Sequence, residues 1–286
     1  MRRSGLSGVK RWIYRCITDP YTNFRLENFE VESVFGARFE GTLGGLIQRR
    51  VFHFGVFEPN LTDWIKQSLR PGDTFLDVGA NVGYFTLLAS RVVGPTGSVV
   101  AVEAAPSTFS TLVKNCQRNS CTNVRSLNLA AFDRETELPL FHIPSEENTG
   151  GASVVLAVGP CETVVQAKPL ATVLSESEIG SMRIVKIDVE GAEVEAVRGL
   201  IPVISRMPEH VEIVVESLPE NYDAIAGMME ELEFHTYTLE NPMEPFIPVH
   251  GSRRPLRHRG AFSQAGLTMD HGVAYFVFSR QDREEL

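Results

Sequence analysis

The sequence predicts a doubly wound α/β domain, and three observations carry that reading. From Thr74 onward, apolar runs of strand length alternate with helix-length segments, the rhythm of βαβ units and a parallel sheet. The runs are near-continuously apolar, as strands covered on both faces must be. Between the first run and its helix lies a loop with Gly79 and Gly83, at the strand end where open α/β sheets bind ligands.

In chain order, residues 29–34, 38–40 and 49–54 are short β-like runs punctuated by Gly36, Gly41, Gly44 and Gly45, which reads as an N-terminal β-meander or hairpin. Pro59 opens a helix over residues 60–69 that stops before Pro71-Gly72. Strand 74–78 leads through the glycine loop into a helix reaching about residue 93; strand 98–103 leads into helix 106–119, and 124–129 is the third strand. The rhythm breaks over residues 131–173, where 137–143 and 162–168 read as extended excursions around a polar, glycine-bearing loop at 144–151, a candidate lid. Parallel order resumes with strand 184–188, helix 193–204, strand 209–216, helix 221–232 and strand 234–239, and the chain closes on an apolar strand at 273–279. Residues 241–270 are Pro-rich and polar, with Arg253, Arg254, Arg257 and Arg259, and read as an insertion before that last strand. Two parts are therefore expected: an extension over residues 1–58 and a domain over 59–286.

Composition narrows the function. The formal charge is −9, but residues 1–15 carry five basic residues and no acid, leaving the remainder at −14. An acidic body argues against non-specific nucleic-acid binding, while the basic terminus offers a weak contact for an anionic membrane. No run approaches the roughly 20 apolar residues of a membrane span, and the N-terminus lacks a signal peptide's apolar core. Cys16, Cys116, Cys121 and Cys161 form no CxxC pair; reduced thiols in a cytoplasmic protein are expected.

The chemistry starts at Leu76-Asp77-Val78-Gly79-Ala80-Asn81-Val82-Gly83-Tyr84-Phe85. Gly79 allows a tight turn and leaves room for a ligand, and Gly83 allows close packing where the helix starts. The pattern D-x-G-x-x-x-G lacks the middle glycine of the pyrophosphate fingerprint. It suits a nucleoside ligand without phosphates, such as S-adenosylmethionine. Glu103, at the end of the second strand, is placed to accept both ribose hydroxyls. Asp133, just beyond Ala131, is the candidate acid for an adenine amine.

A second block is Val185-Lys186-Ile187-Asp188-Val189-Glu190-Gly191-Ala192-Glu193. Lys186 and Asp188 share a strand face. A lysine in an apolar central strand is costly unless paired, and Asp77 or Glu216 is the expected partner. Gly191 supplies a turn, and Glu193 favours the following helix N-terminus.

These residues resemble the FkbM family of methyltransferases. The likeness rests on residues 75–87, on Glu103 with Pro106 and above all on residues 186–193, and covers about 73–239. It implies a Rossmann-like class I methyltransferase fold, with a seven-stranded, mostly parallel sheet, one antiparallel strand near the C-terminus, helices on both faces, and S-adenosylmethionine as methyl donor. It also implies O-methylation of a sugar, glycolipid or polyketide-type natural product. One departure is Val102-Glu103-Ala104, where family members often carry Phe-Glu-Pro.

The expected cofactor residues are Asp77, Gly79, Ala80, Asn81, Gly83, Tyr84, Phe85, Glu103, Ala104, Ala131, Asp133 and Asp188. Asp188 is the first candidate for general base, followed by Glu190 and Glu216, with Lys186 completing the catalytic set. His142, beside the polar loop, is a further candidate base. No metal is expected, although Asp188, Glu190 and Glu216 are oxygen donors of the type Mg²⁺ takes. The alternatives are a non-catalytic scaffold that binds cofactor only, and a nicotinamide-dependent dehydrogenase, which the glycine spacing argues against.

Overall fold

The computed structural model describes residues 28–42, 45–143, 151–157, 159–239, 257–259 and 274–281. The basic residues 1–15, most of the 144–151 loop and nearly all of 241–270 lie outside them.

β1 (Asn28–Glu32) and β2 (Arg38–Thr42) pair antiparallel, with Val31 opposite Phe39. Gly36, at φ +79°, and the Ser33 hydroxyl, which accepts from the Ala37 N–H, shape the turn between them. The third expected run is not a strand: it falls in helix α1 (Leu46–Phe54). Ile47, Val51 and Phe54 recur at helical spacing, and Gly55 ends the helix at φ +73° with its N–H on the Val51 carbonyl, a left-handed C-terminal cap. The expected meander is thus a hairpin followed by a helix. α2 (Pro59–Ser68) carries proline in its first turn, where a missing N–H costs nothing.

β3 (Thr74–Val78), α3 (Tyr84–Val93), β4 (Ser98–Val102), α4 (Pro106–Arg118) and β5 (Val124–Leu127) then alternate as read. A detour follows. β6 (Ala130–Ala131), β7 (Thr136–His142), β8 (Ala152–Ser153) and β9 (Cys161–Lys168) form a separate sheet in the order β6-β9-β7-β8. Short helices α5 (Leu170–Val173) and α6 (Glu176–Gly180) lead back. The chain then runs through β10 (Met182–Ile187), α7 (Glu193–Ile204), β11 (Glu212–Ser217), α8 (Pro219–Glu230), β12 (His235–Leu239), β13 (Arg257–Arg259) and β14 (Ala274–Ser279).

The main sheet has the order β13-β12-β14-β11-β10-β3-β4-β5. It is parallel from β11 to β5, and β14 runs antiparallel between β11 and β12. All seven expected strands are present, and β13 adds an eighth. It comes from the segment expected to be a polar insertion, and it pairs with the edge strand β12, whose outer backbone groups need partners. Chain order reverses between β3 and β10, so a crevice opens at their carboxyl ends.

Alternate residues feed two cores. Phe75 and Ile184 face Leu87, Leu88 and Leu112, whereas Leu76 and Val185 face Ala196, Val197 and Leu200. The hairpin and α1 belong to the first core: Phe39 and Val51 are both 1% exposed and pack in the same cluster as Tyr84. No helix among the described residues is long and apolar enough to cross a membrane.

Candidate active site

A cleft opens at the β3–β10 reversal. Its first wall is the turn after β3. The N–H groups of Gly79 and Ala80 both donate to the Val102 carbonyl at 2.9 Å, tying the loop to the end of β4. Gly79 sits at φ +75°, and a Cβ there would lie 1.7 Å from the Asp188 carbonyl oxygen. The glycine therefore makes room for the backbone after β10, and it also lines the cleft. Asn81, at φ +50°, accepts the Val82 N–H on its own side chain at 2.8 Å, a local bond that lets asparagine occupy this region. Gly83 behaves as read: a Cβ would come 2.6 Å from Leu112 Cδ1 of α4.

Asp77 does not reach the cleft. It is fully buried, with one carboxylate oxygen accepting from Thr86 Oγ1 at 2.6 Å and the other 3.9 Å from Lys186 Nζ. Burial pushes its carboxyl up, against the pull of Lys186 and Thr86. Ala80, Asn81, Tyr84 and Phe85 do line the cleft.

Glu103 is held from both sides. Its two oxygens accept the N–H groups of Asn81 at 2.8 Å and Ala105 at 2.9 Å, leaving lone pairs to accept from a diol. Burial raises it from the ordinary 4.5 to about 7, against those two hydrogen bonds. A carboxyl raised in the folded state favours the unliganded fold fully below about pH 4.5 and loses that contribution as pH rises through about 7. Ligand binding through an ionised Glu103 runs the other way. S-adenosylhomocysteine is expected to bind about tenfold more weakly at pH 6 than at pH 8. Calorimetry at the two pH values, with Glu103→Gln flattening the difference, checks this.

The second wall follows β10. Lys186 is 2% exposed, and its ammonium lies 2.9 Å from Asp188 Oδ2. Asp188 is therefore the main partner, with Asp77 second and Glu216 not in contact. Burial alone would lower this lysine, but Asp188 and Asp77 outweigh it and the net shift is upward. The ammonium also lies 5.2 Å above the Phe85 ring, a cation–π contact across the cleft floor. The Asp188 side chain stays 26% exposed at the cleft. Glu216 lies beside it, raised well above the usual range by burial and by Asp188 and Glu58. Glu190, at φ +52°, is raised to about 7 by the surrounding wall, Asp188 and Glu193. Gly191, at φ +103°, completes the turn, and Glu193 accepts its N–H at 2.7 Å.

Ala104 and Ala131 line the cleft with Leu129 and Ala130. Asp133 does not: it pairs with Arg134 at 2.9 Å and lies off the wall. His142 likewise faces Glu162, 3.2 Å away, and not the cleft. Sequence reasoning missed Leu46, Ile47, Phe57 and Glu58 on one side and Leu140, Ala152 and Val154 on the other. Glu58 is the chemically notable one. It is buried at φ +43°, and it accepts from the Tyr275 hydroxyl at 2.5 Å. Its one sequence signal was Pro59, which restricts the backbone of the residue before it.

Fold and cleft together define a Rossmann-like class I methyltransferase domain. The chain belongs to the FkbM methyltransferase family: the family model described as "Methyltransferase FkbM domain" matches residues 77–239, more than half of the chain. "Methyltransferase 1" of Beauveria bassiana is 28% identical over 149 residues, covering 46% of this chain and 59% of that protein. "Methyltransferase sdnD" of Sordaria araneosa is 28% identical over 194 residues, covering 57% of this chain and 71% of that protein. Among solved structures, methyltransferase FkbM from Methylobacillus flagellatus is similar with a TM-score of 0.45 and 13% identity, over 80% of this chain and 52% of that one.

The cofactor of the family is S-adenosylmethionine, and the residues fit it. Among the described residues, Glu58, Glu103, Asp188, Glu190 and Glu216 line the cleft against a single base, Lys186, already held by Asp188. That wall suits a cationic nucleoside and opposes a pyrophosphate. Glu103 would hold the ribose, Ala104 and Leu129 to Ala131 the base, and the acids after β10 the ammonium end.

Proposed function

We propose that this chain methylates a hydroxyl oxygen on a sugar, glycolipid or polyketide-type acceptor, with Asp188 as general base. The observation that carries the reading is Asp188 itself: exposed to the cleft, 2.9 Å from the Lys186 ammonium, at the β3–β10 reversal. The bound cofactor supplies an electrophilic methyl group on a sulfonium. The residues do the rest. Lys186 fixes the Asp188 carboxylate, which takes the acceptor's hydroxyl proton as the new carbon–oxygen bond forms. Leu46, Ile47 and Phe57 exclude water from the acceptor's side of the cleft. Positioning of this kind is worth about 7–11 kcal/mol.

Calorimetry with S-adenosylhomocysteine and NAD⁺, followed by turnover of Asp188→Asn on a panel of hydroxyl acceptors, tests the reading. Micromolar binding of the former alone is expected, with Asp188→Asn lowering kcat by roughly 10²–10⁴-fold. A chain that binds S-adenosylhomocysteine but turns over amines and no hydroxyl acceptor would overturn the oxygen assignment. Binding of NAD⁺ alone would overturn the methyltransferase reading.

A further inference from the structure

The hairpin β1–β2 lies outside the segment that matches the family model, yet it is joined to the cofactor loop through one side chain. Asn115 of α4 is fully buried, and both halves of its amide are used. Its Oδ1 accepts the Glu40 N–H of β2 at 2.9 Å, and its Nδ2 donates to the Val82 carbonyl at 2.9 Å. Val82 lies between Asn81, which orients Glu103, and Gly83, which starts α3. The same amide therefore touches the hairpin with one atom and the loop with the other.

A second contact runs in parallel. Phe39 of β2 stacks on Tyr84, the first residue of α3, at 5.8 Å between ring centroids and 21° between planes. Phe35, in the hairpin turn, meets the same ring edge-on at 5.2 Å. The rest of the hairpin is anchored further along α4. Asn119 accepts the Arg38 N–H at 2.9 Å and donates to the Arg38 carbonyl at 2.7 Å, and Arg118 pairs with Glu30 and Glu40. Hairpin and loop are thus two faces of one hydrogen-bonded unit, with α4 as the bracket between them.

We propose that the hairpin is a clamp for the cofactor loop, and that Asn115 is the positioning residue through which hairpin docking sets cofactor affinity. The inference rests on the cofactor reading above. Asn115 touches no ligand; it fixes Val82 and hence the Asn81 N–H that aims Glu103. Binding linkage is reciprocal. If a docked hairpin favours the cofactor, bound cofactor must favour the docked hairpin.

Amide hydrogen exchange on the full chain, with and without saturating S-adenosylhomocysteine, reads this directly. The Arg38 and Glu40 amides, whose acceptors lie on α4, are expected to exchange at least about fivefold more slowly with ligand bound. Asn115→Ala is expected to weaken S-adenosylhomocysteine binding about tenfold, the scale of one buried hydrogen bond, and to abolish that slowing. Asn119→Ala loosens the hairpin without touching Val82, and is expected to weaken binding two- to fivefold. Unchanged exchange at residues 28–42 in a chain that binds the ligand overturns the clamp alone. So does full affinity in an Asn119→Ala protein whose hairpin amides exchange faster. Failure of the unaltered chain to bind S-adenosylhomocysteine instead overturns the cofactor reading.

Discussion

Gly79→Ala is expected to abolish S-adenosylhomocysteine binding and to destabilise the fold by about 2–5 kcal/mol. Two costs combine. An L-residue at φ +75° carries roughly 1–2 kcal/mol of backbone strain. The added methyl also meets the Asp188 carbonyl oxygen at 1.7 Å. That neighbour is backbone, so it cannot rotate away; the turn after β10 or the loop after β3 must move. Forced repacking of this kind costs about 1–3 kcal/mol. Either movement misplaces one wall of the cleft, because Gly79 and Ala80 hang from Val102 and Asp188 follows Val78 through its own N–H. Gly72→Ala is the control: φ is +94° there, but the nearest atom is Thr96 Oγ1 at 3.9 Å. That variant carries strain without a clash and should bind S-adenosylhomocysteine with full affinity. Thermal melts and calorimetry on the two variants separate the effects. Equal binding by both would mean that the cleft walls tolerate displacement.

Lys186→Met is expected to be nearly as severe, for an electrostatic reason. Removing one member of a buried ion pair costs about 3–5 kcal/mol, because the remaining charge is left in a poor solvent. Here the residues left behind are Asp188 and the fully buried Asp77. The double variant Lys186→Met/Asp77→Asn removes a carboxylate along with the ammonium and should recover 1 kcal/mol or more in denaturant melts. Activity should not recover with it, since Asp188 has lost the cation that orients it. Recovery of turnover in the double variant would show that Lys186 acts only through Asp77 and has no part in fixing the base.

The parallel sheet was legible because each of its strands reports its own environment. Residues 74–78 and 182–187 are buried along their whole length, and a strand buried on both faces must read as a continuous apolar run. The glycine loop and the block around Lys186 were legible for a related reason. Positive φ and buried charge restrict residue choice locally, so Gly79, Gly83 and Gly191 announce turns, and Lys186 between Val185 and Ile187 announces a partner. Residues 49–54 were misread as a strand, because short apolar runs do not separate the two periods until burial is known.

By itself, then, the sequence determined which seven strands form the body of the sheet, which glycine loop lies at the cleft and which carboxylates gather at the end of β10. Each of these is written in residues adjacent in the chain. Only the tertiary structure decided who pairs with whom across it. Lys186 chose Asp188 over Glu216, the space beside Gly79 went to the Asp188 backbone, Asp133 turned to Arg134, and Glu58 reached Tyr275. The hairpin's tie to Val82 through Asn115 likewise spans residues 40, 82 and 115. Such contacts depend on distances fixed by packing between segments far apart in sequence, and no local pattern of residues encodes them.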